Sequence, residues 1–292
     1  MFTARTDRSV PSLIKWTGSK RSQATQIARI IPPYNRYFEP FLGGGALMFL
    51  AGHPGAVGGD VYRPLVELWR LIRDNPQELS SHYRSHWMAL SKELDGIDLS
   101  TMTRGNGIPV TFYEVRRRFN KDPNPFDLNF LMRTCVNGIV RFNDSGEFNN
   151  SFHLSRRGMI PEKFDSIIRR WRPYLSGVEF ENCDYRALLD AATAGDFVYL
   201  DPPYAGTKQR YSETLNLDDL FAELDRLNTL GVKWALSFDG KRGEADFTYN
   251  VPSEIFKERL YLGSGNSAVR KVLSGPIERV EEALYINYHS LL

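Results

Sequence analysis

Tyr37-Phe38-Glu39-Pro40-Phe41-Leu42-Gly43-Gly44-Gly45-Ala46-Leu47-Met48-Phe49 is the stretch on which the reading of the fold turns. A short aromatic run stops at three glycines, and an apolar helical pattern opens directly behind them, which is a strand, a tight turn and a helix. A glycine backbone bends sharply and lets a ligand come close, because no side chain stands in the way. Ala56-Val57-Gly58-Gly59 predicts a second short strand ending at Asp60, and Pro64–Arg73 has helical spacing through Leu65, Leu68, Trp69 and Ile72. A carboxylate at the end of that second strand is well placed to hold a ribose diol, and the interval from Gly43 to Asp60 resembles the dinucleotide arrangement. The glycines do not spell G-x-G-x-x-G, so a tight strand–helix turn without a ligand is an equal reading of these residues alone.

The same alternation returns near the end of the chain. Val178–Glu181 predicts a strand, Arg186–Ala194 a helix and Phe197–Leu200 a fully apolar strand. Leu217–Leu230 predicts an amphipathic helix, and Val232–Phe238 and Glu282–Tyr288 two further strands. Strands alternating with helices imply a mainly parallel sheet covered on both faces. Between these ends, from about Asn75 to Leu175, the alternation is lost. Helical patterns at Glu78–Leu90, Phe112–Arg118, Leu128–Val136 and Pro161–Trp171 accompany a polar loop at Gly96–Gly107. Asn143-Asp144-Ser145-Gly146 has the chemistry of a β-hairpin turn. This middle reads as an insertion.

Asp201-Pro202-Pro203-Tyr204 follows the strand Phe197–Leu200 directly. Ligands of open α/β sheets bind at the carboxyl ends of strands. Proline has no N–H, so the turn offers carbonyl acceptors. The Asp201 carboxylate beside the Pro202 carbonyl can grip both hydrogens of an exocyclic amine, and Tyr204 can stack on the ring that bears it. Asp201 as a mere helix cap is the weaker reading of so particular a tetrapeptide. Lys15-Trp16-Thr17-Gly18-Ser19-Lys20 alone is a basic turn before a helix at Gln23–Ile31.

Composition sets the outer bounds. With 292 residues, 42% hydrophobic and 25% charged, the chain is neither disordered nor fibrous. No apolar stretch approaches the ~20 residues of a membrane span, and Met1–Val10 lacks the apolar segment of a signal peptide. Two cysteines, Cys135 and Cys183, form no framework and no C-x-x-C, so a reduced, cytoplasmic protein is expected. No metal is expected: His82 and His86 lie four apart on a predicted helix without a third ligand near them in sequence.

The net charge of +2 conceals an asymmetry. Residues 1–175 carry 25 Lys and Arg against 16 Asp and Glu, an excess of nine; residues 176–292 carry 12 against 19, a deficit of seven. Within the basic part, Arg116-Arg117-Arg118, Arg156-Arg157 and Arg169-Arg170 are interleaved with Phe112, Tyr113, Phe119, Phe126, Phe142, Phe148 and Phe152. Such interleaving suits phosphate contacts and base stacking. Core aromatics beneath a solvated charged face are the plainer reading.

Lys15–Lys20, Phe38–Gly45, Asp60 and Asp201–Tyr204, in that order, resemble the Dam-type (D12 class, alpha group) site-specific DNA adenine-N6 methyltransferases. Asn137-Gly138-Ile139-Val140-Arg141-Phe142-Asn143 and Gly146-Glu147-Phe148-Asn149 resemble the recognition hairpin of the GATC-methylating members. The resemblance runs from about Lys15 to Tyr288. It implies a Rossmann-like α/β methyltransferase with a mixed, mainly parallel seven-stranded sheet and an inserted, mostly helical DNA-recognition domain with a β-hairpin. The catalytic domain is then 1–74 and 176–292, and the target-recognition domain 75–175.

The implied activity is methyl transfer from S-adenosylmethionine to adenine N6 in double-stranded DNA, at GATC or a related site, with the base flipped into the Asp-Pro-Pro-Tyr pocket. Cofactor contacts are implied at Trp16, Lys20, Phe41, Gly43, Gly45, Asp60, Asp184, Tyr185 and Asp201, and catalytic roles at Asp201, Pro202 and Tyr204. Lys15 and Arg141 match base-contacting positions, and Arg116, Arg117, Asn137 and Asn143 are further expected DNA contacts. A bacterial, archaeal or phage origin and no obligate protein partner are implied as well. The chain departs from the GATC pattern at Val136, usually aromatic, and at Asn150-Ser151-Phe152-His153, usually Val-Pro-Phe-Gly. Related motifs serve methyltransferases of RNA bases and protein amides, which is the alternative activity. A non-catalytic DNA-binding regulator would have no use for Asp201, Tyr204 and the cofactor motifs.

Overall fold

The computed structural model describes residues 1–7, 9–98, 109–203, 215–242, 245–246, 251–266 and 279–290. In chain order the elements are α1 (Ala24–Ile30), β1 (Tyr37–Glu39), α2 (Ala46–Ala51), β2 (Val57–Asp60), α3 (Arg63–Asp74), α4 (Pro76–Glu93), α5 (Val110–Lys121), α6 (Pro125–Thr134) and α7 (Pro161–Leu175). They continue with β3 (Glu179–Asn182), α8 (Tyr185–Asp190), β4 (Phe197–Leu200), α9 (Leu217–Thr229), β5 (Lys233–Arg242), β6 (Ala245–Asp246), β7 (Glu258–Asn266) and β8 (Arg279–Ile286).

Seven strands run in the order β3-β2-β1-β4-β5-β8-β7, with the two-residue β6 attached to β5. The first five are parallel; β8 is antiparallel to both β5 and β7. This is the mixed, mainly parallel sheet expected. Strand β7 was not legible in the sequence, and α8 stops at Asp190, short of the expected Ala194. Ala192 there donates its N–H back to the Leu189 carbonyl at 3.1 Å in a closing turn.

Side-chain alternation divides the core between the two faces of the sheet. Tyr37, Phe197, Tyr199, Ala235, Leu284 and Ile286 belong to one apolar cluster; Phe38, Val198, Leu200, Trp234, Leu236, Ala283 and Tyr285 belong to the other. The first cluster continues without interruption into α4–α7, where Tyr83, Phe112, Phe130, Phe164 and Trp171 are fully buried. Phe112, Phe119, Phe148 and Phe152 are interior as well, so the core reading of those aromatics prevails over the stacking one.

The Asn143–Gly146 turn forms, but regular hairpin strands do not. Among the described residues the ribbon is held by two isolated bridges, Phe142↔Phe148 and Cys135↔Phe152. The reason lies on α5: the Asn120 amide donates to the Phe148 carbonyl at 3.2 Å and accepts from its N–H at 2.9 Å. A side-chain amide thus stands where a neighbouring strand's peptide group would pair.

Candidate active site

Strand order reverses between β1 and β4, the position at which doubly wound sheets hold their ligands. The register Tyr37↔Phe197, Phe38↔Val198 brings the chain leaving β1 alongside the chain leaving β4. The glycine loop and the Asp201-Pro202-Pro203 turn, 156 residues apart between Gly45 and Asp201, therefore open at the same edge of the sheet.

Gly43 and Gly45 lie in the left-handed region, at φ +44° and +60°. A Cβ on Gly43 would come 2.9 Å from Trp16 Cδ1, and one on Gly45 2.6 Å from Trp69 Cζ2. Two indoles thus press on a loop that only glycine can follow. The loop is tied down by Gly43 N–H to Asp60 Oδ2 (3.2 Å), Trp69 Nε1 to the Gly43 carbonyl (3.1 Å) and Leu42 N–H to the Gly59 carbonyl (2.8 Å). The other Asp60 oxygen accepts from Tyr62 N–H at 3.0 Å. Burial pushes the Asp60 carboxyl up to about 6, although these N–H donors pull it down.

Lys20, 4% exposed, donates to Asp201 Oδ1 at 2.6 Å and lies 3.3 Å from Glu282 Oε2. Asp201 is likewise pushed up to about 6 by burial, with Lys20 opposing the shift and Glu282 adding to it. Behind it on β1, Glu39 is buried and accepts from the Tyr37 hydroxyl at 3.0 Å; burial holds its carboxyl well above the usual range. Phe41 stacks on Tyr185, with centroids 5.2 Å apart. Asp184 caps α8, accepting from Arg186 N–H at 3.0 Å and Arg186 Nε at 2.8 Å. The structure therefore gathers Trp16, Lys20, Phe41, Gly43, Gly45, Asp60, Tyr185, Asp201 and Pro202 about one edge. Tyr204 lies outside the described residues, as does most of the expected Gly96–Gly107 loop.

The expected DNA-contacting residues separate by what already holds them. The Lys15 side chain lies along Gly138, where a Cβ would sit 2.5 Å from its Cδ. Burial and then the Arg133 charge lower its pKa. Asn137 is exposed and left-handed, at φ +57°. Arg141 is exposed, with Nε bonded to Asn149 Oδ1 at 2.9 Å. Asn143 builds the turn: its Oδ1 accepts from Ser145 and Glu147 N–H at 3.1 and 2.8 Å, and its Nδ2 donates to Glu147 at 3.0 Å. Of the arginine triplet, Arg116 turns inward to the Asn150 carbonyl (3.2 Å), Arg118 pairs with buried Asp127 (2.5 Å), and Arg117 stays largely exposed.

Four residues with polar or ring contacts of note escaped the sequence reading. Glu39 sits inside a motif whose glycines drew the attention, Glu282 belongs to a strand remote in sequence, and Tyr62 lies just beyond Asp60. The Tyr62 ring stands 5.9 Å from Trp16 and packs edge-on against Phe142 of the ribbon at 5.3 Å. Asp127 is the fourth, joining His82 and His86 in a group whose ligand-type atoms lie within 4.8 Å of one another. The Arg118 guanidinium fills the space between them, bonding both Asp127 oxygens and reaching His86 Nε2 at 3.1 Å. That cluster ties α4, α5 and α6 together.

Fold and site together define the class: an α/β transferase with a glycine loop, an acidic strand end and an Asp-Pro-Pro turn at one switch point. Residues 16–259 match the family described as D12 class N6 adenine-specific DNA methyltransferase, and the chain belongs to that family. It is 30% identical over 226 residues to the type II methyltransferase M1.LlaDCHI of Lactococcus lactis subsp. cremoris, covering 72% of this chain and 76% of that one. It is 26% identical to the type II methyltransferase M.MjaIII of Methanocaldococcus jannaschii over 87% of this chain and 89% of the relative. With the DNA N-6-adenine-methyltransferase of Escherichia phage P1 it shares 29% identity over 87% of this chain but only 31% of that longer protein. The chain is thus a DNA adenine methyltransferase whose methyl donor is S-adenosylmethionine.

Proposed function

We propose that the enzyme methylates adenine N6 within a specific double-stranded DNA sequence, GATC or a related site, and that it flips the target base toward Asp201-Pro202-Pro203-Tyr204. The observation that carries this reading is the Lys20–Asp201 junction beside the glycine loop, where a half-buried carboxylate stands at the end of β4. The donor set fits the methyl donor: a loop with no side chain from Gly43 to Gly45, the Asp60 carboxylate at the end of β2, and the Phe41–Tyr185 stack flanking the cleft.

Trp16, Lys20, Phe41, Gly43, Gly45, Asp60, Asp184, Tyr185 and Asp201 hold the donor in this reading. S-adenosylmethionine supplies an electrophilic methyl group on a cationic sulfur. The adenine amine is a poor nucleophile, because its lone pair is delocalised into the ring. Asp201 and the Pro202 carbonyl each accept one N–H, favour a pyramidal nitrogen and concentrate the lone pair. Orientation at ~3–3.5 Å contributes much of the acceleration. Flipping costs a few kcal/mol of unstacking, which Tyr204 offsets in part by stacking.

Residues 75–175 form the target-recognition domain in this reading. Lys15, Asn137 and Arg141 face the bases, Arg117 and Arg116 the backbone, and Asn143 gives the ribbon its shape. Two or three exchanged side chains redirect specificity when each base contact is worth ~1–3 kcal/mol, so Val136 and Asn150–His153 are the positions at which a site other than GATC itself would be set. Work as a single chain in the cytoplasm of a bacterium, archaeon or phage-infected cell belongs to the same proposal. Among the described residues no helix is long and apolar enough to cross a membrane.

Radiolabelled methyl transfer into duplex DNA, single-stranded DNA and RNA tests the proposal, followed by sequencing for modified bases. Label is expected in duplex DNA at one short sequence, and Asp201→Ala is expected to abolish it while cofactor binding weakens less. Equal labelling of RNA, or full activity of Asp201→Ala, overturns it.

A further inference from the structure

The ribbon that follows α6 has two unequal sides. Val136 donates its N–H to the Ser151 carbonyl at 2.9 Å, and Asn149 donates its N–H to the Arg141 carbonyl at 3.0 Å. Between these two ties one side holds Asn137, Gly138, Ile139 and Val140, and the other holds Asn150 alone. The longer side bulges. Asn137 and Gly138 are consecutive left-handed residues, at φ +57° and +66°, closed by the Ile139 N–H on the Val136 carbonyl at 3.3 Å.

The Asn150 side chain, in a residue only 6% exposed, clamps this turn from inside the fold. Its Nδ2 donates to the Val136 carbonyl at 2.9 Å and to the Ile139 carbonyl at 2.8 Å, the first and last carbonyls of the turn. Its Oδ1 accepts from the Ser151 N–H at 2.9 Å, and Arg116 holds its main-chain carbonyl at 3.2 Å. A primary amide has the two N–H donors that this bridge needs; a hydroxyl has one and an aliphatic side chain none. Asn137 itself is exposed at the tip. A non-glycine residue stays in the left-handed region only where its surroundings hold it there. Gly138 packs against Lys15, where an added Cβ would lie 2.5 Å from Cδ, so the clamped turn adjoins a second expected base contact.

We infer that Asn150 is a positioning residue for sequence discrimination: buried beneath the face that meets DNA, it sets which base pair is accepted by holding Asn137 in its left-handed conformation. The inference rests on the reading of residues 75–175 as the target-recognition domain with Asn137 facing the bases. Base readout by a side-chain amide depends on the direction in which the amide is presented. Cutting the clamp frees the turn, and Asn137 then meets right and wrong base pairs with more nearly equal affinity.

Asn150→Leu keeps the size and removes both donors, and Asn150→Ala removes them without adding bulk. Each of these, Asn137→Ala and the double variant Asn137→Ala/Asn150→Leu methylate plasmid DNA with S-adenosylmethionine at limiting enzyme, and the modified adenines are sequenced. The quantity compared is methylation at the wild-type sequence relative to sequences that differ from it by one base pair. A variant that is only destabilised loses rate at every sequence and keeps this ratio. Both Asn150 variants are expected to lower the ratio about tenfold, within the worth of one base contact, at the same base pair that Asn137→Ala relaxes. The double variant is expected to be no more relaxed than Asn137→Ala alone. A wild-type ratio in both Asn150 variants overturns the inference, as does loss of methylation at every sequence in both. Relaxation at a base pair that Asn137→Ala leaves unchanged, or losses that multiply in the double variant, overturns it too. Wild-type enzyme that marks no defined sequence refutes the recognition-domain reading itself, whereas a defined wild-type sequence beside unrelaxed Asn150 variants refutes only the role of Asn150.

Discussion

Replacing Gly45 by alanine tests whether the glycine loop is shaped by the packing behind it. Gly45 sits at φ +60°, ψ +31°, where a non-glycine residue costs ~1–2 kcal/mol. The new Cβ also comes 2.6 and 2.8 Å from Trp69 Cζ2 and Cη2. Trp69 cannot recoil: it is fully buried, packed against Trp171 and Phe180 at 5.3 and 5.7 Å, and tethered through Nε1 to the Gly43 carbonyl. Overpacking of that kind adds ~1–3 kcal/mol, for a total of ~2–5 kcal/mol. Unfolding entropy scales with chain length, so in a chain of 292 residues each kcal/mol shifts the melting temperature by about 1.6 °C. Gly45→Ala should therefore lower Tm by about 3–8 °C in calorimetry. Gly55→Ala is the control, because its φ is +89° but nothing lies within 4 Å of the added carbon; it carries strain alone and should lose about 2–3 °C. Isothermal titration of S-adenosylmethionine should show at least about tenfold weaker binding to Gly45→Ala, ~1.4 kcal/mol, and little change for Gly55→Ala. Equal melting of the two variants, or unchanged cofactor affinity of the first, would refute the account of the loop.

The charges and the ribbon set the remaining expectations. Asp60 and Asp201 both titrate near 6, above the usual carboxylate value, so both gain protons as the pH falls through 6. kcat/KM should drop about tenfold per pH unit below that point for one required carboxylate and more steeply for two; a profile flat to pH 5 contradicts it. For stability the sign is opposite, since a folded pKa above the unfolded one contributes stability below about 4 that is lost as the pH rises through 6. The gain in Tm between pH 7 and pH 5 should accordingly shrink in Asp201→Asn. Arg141→Ala should cost ~1–3 kcal/mol of DNA affinity and relax discrimination at one base pair. Asn143→Ala should weaken all sequences alike through loss of the turn, and fluorescence anisotropy on cognate and altered duplexes distinguishes the two patterns. Selective loss in Asn143→Ala would return that residue to direct base contact.

The sequence alone determined what depends on neighbours along the chain. Short aromatic and apolar runs set the strands Tyr37–Glu39 and Phe197–Leu200, a run of glycines set the turn between β1 and α2, and chain-adjacent chemistry marked Asp60 and Asp201-Pro202. Tertiary structure decided what depends on which distant segments meet. Strand order brought Lys20 between Asp201 and Glu282, both of which lie most of the chain away from it. It placed the Tyr62 ring against Phe142 of the ribbon and gave the His82–His86 pair its third neighbour in Asp127, with Arg118 between them. It also turned the arginine triplet three ways, because one helix face cannot point all three side chains outward. Local pattern records the period of a backbone and the reach of a turn. The partner of a buried charge is set by the order in which strands assemble, and no residue along the local stretch encodes it.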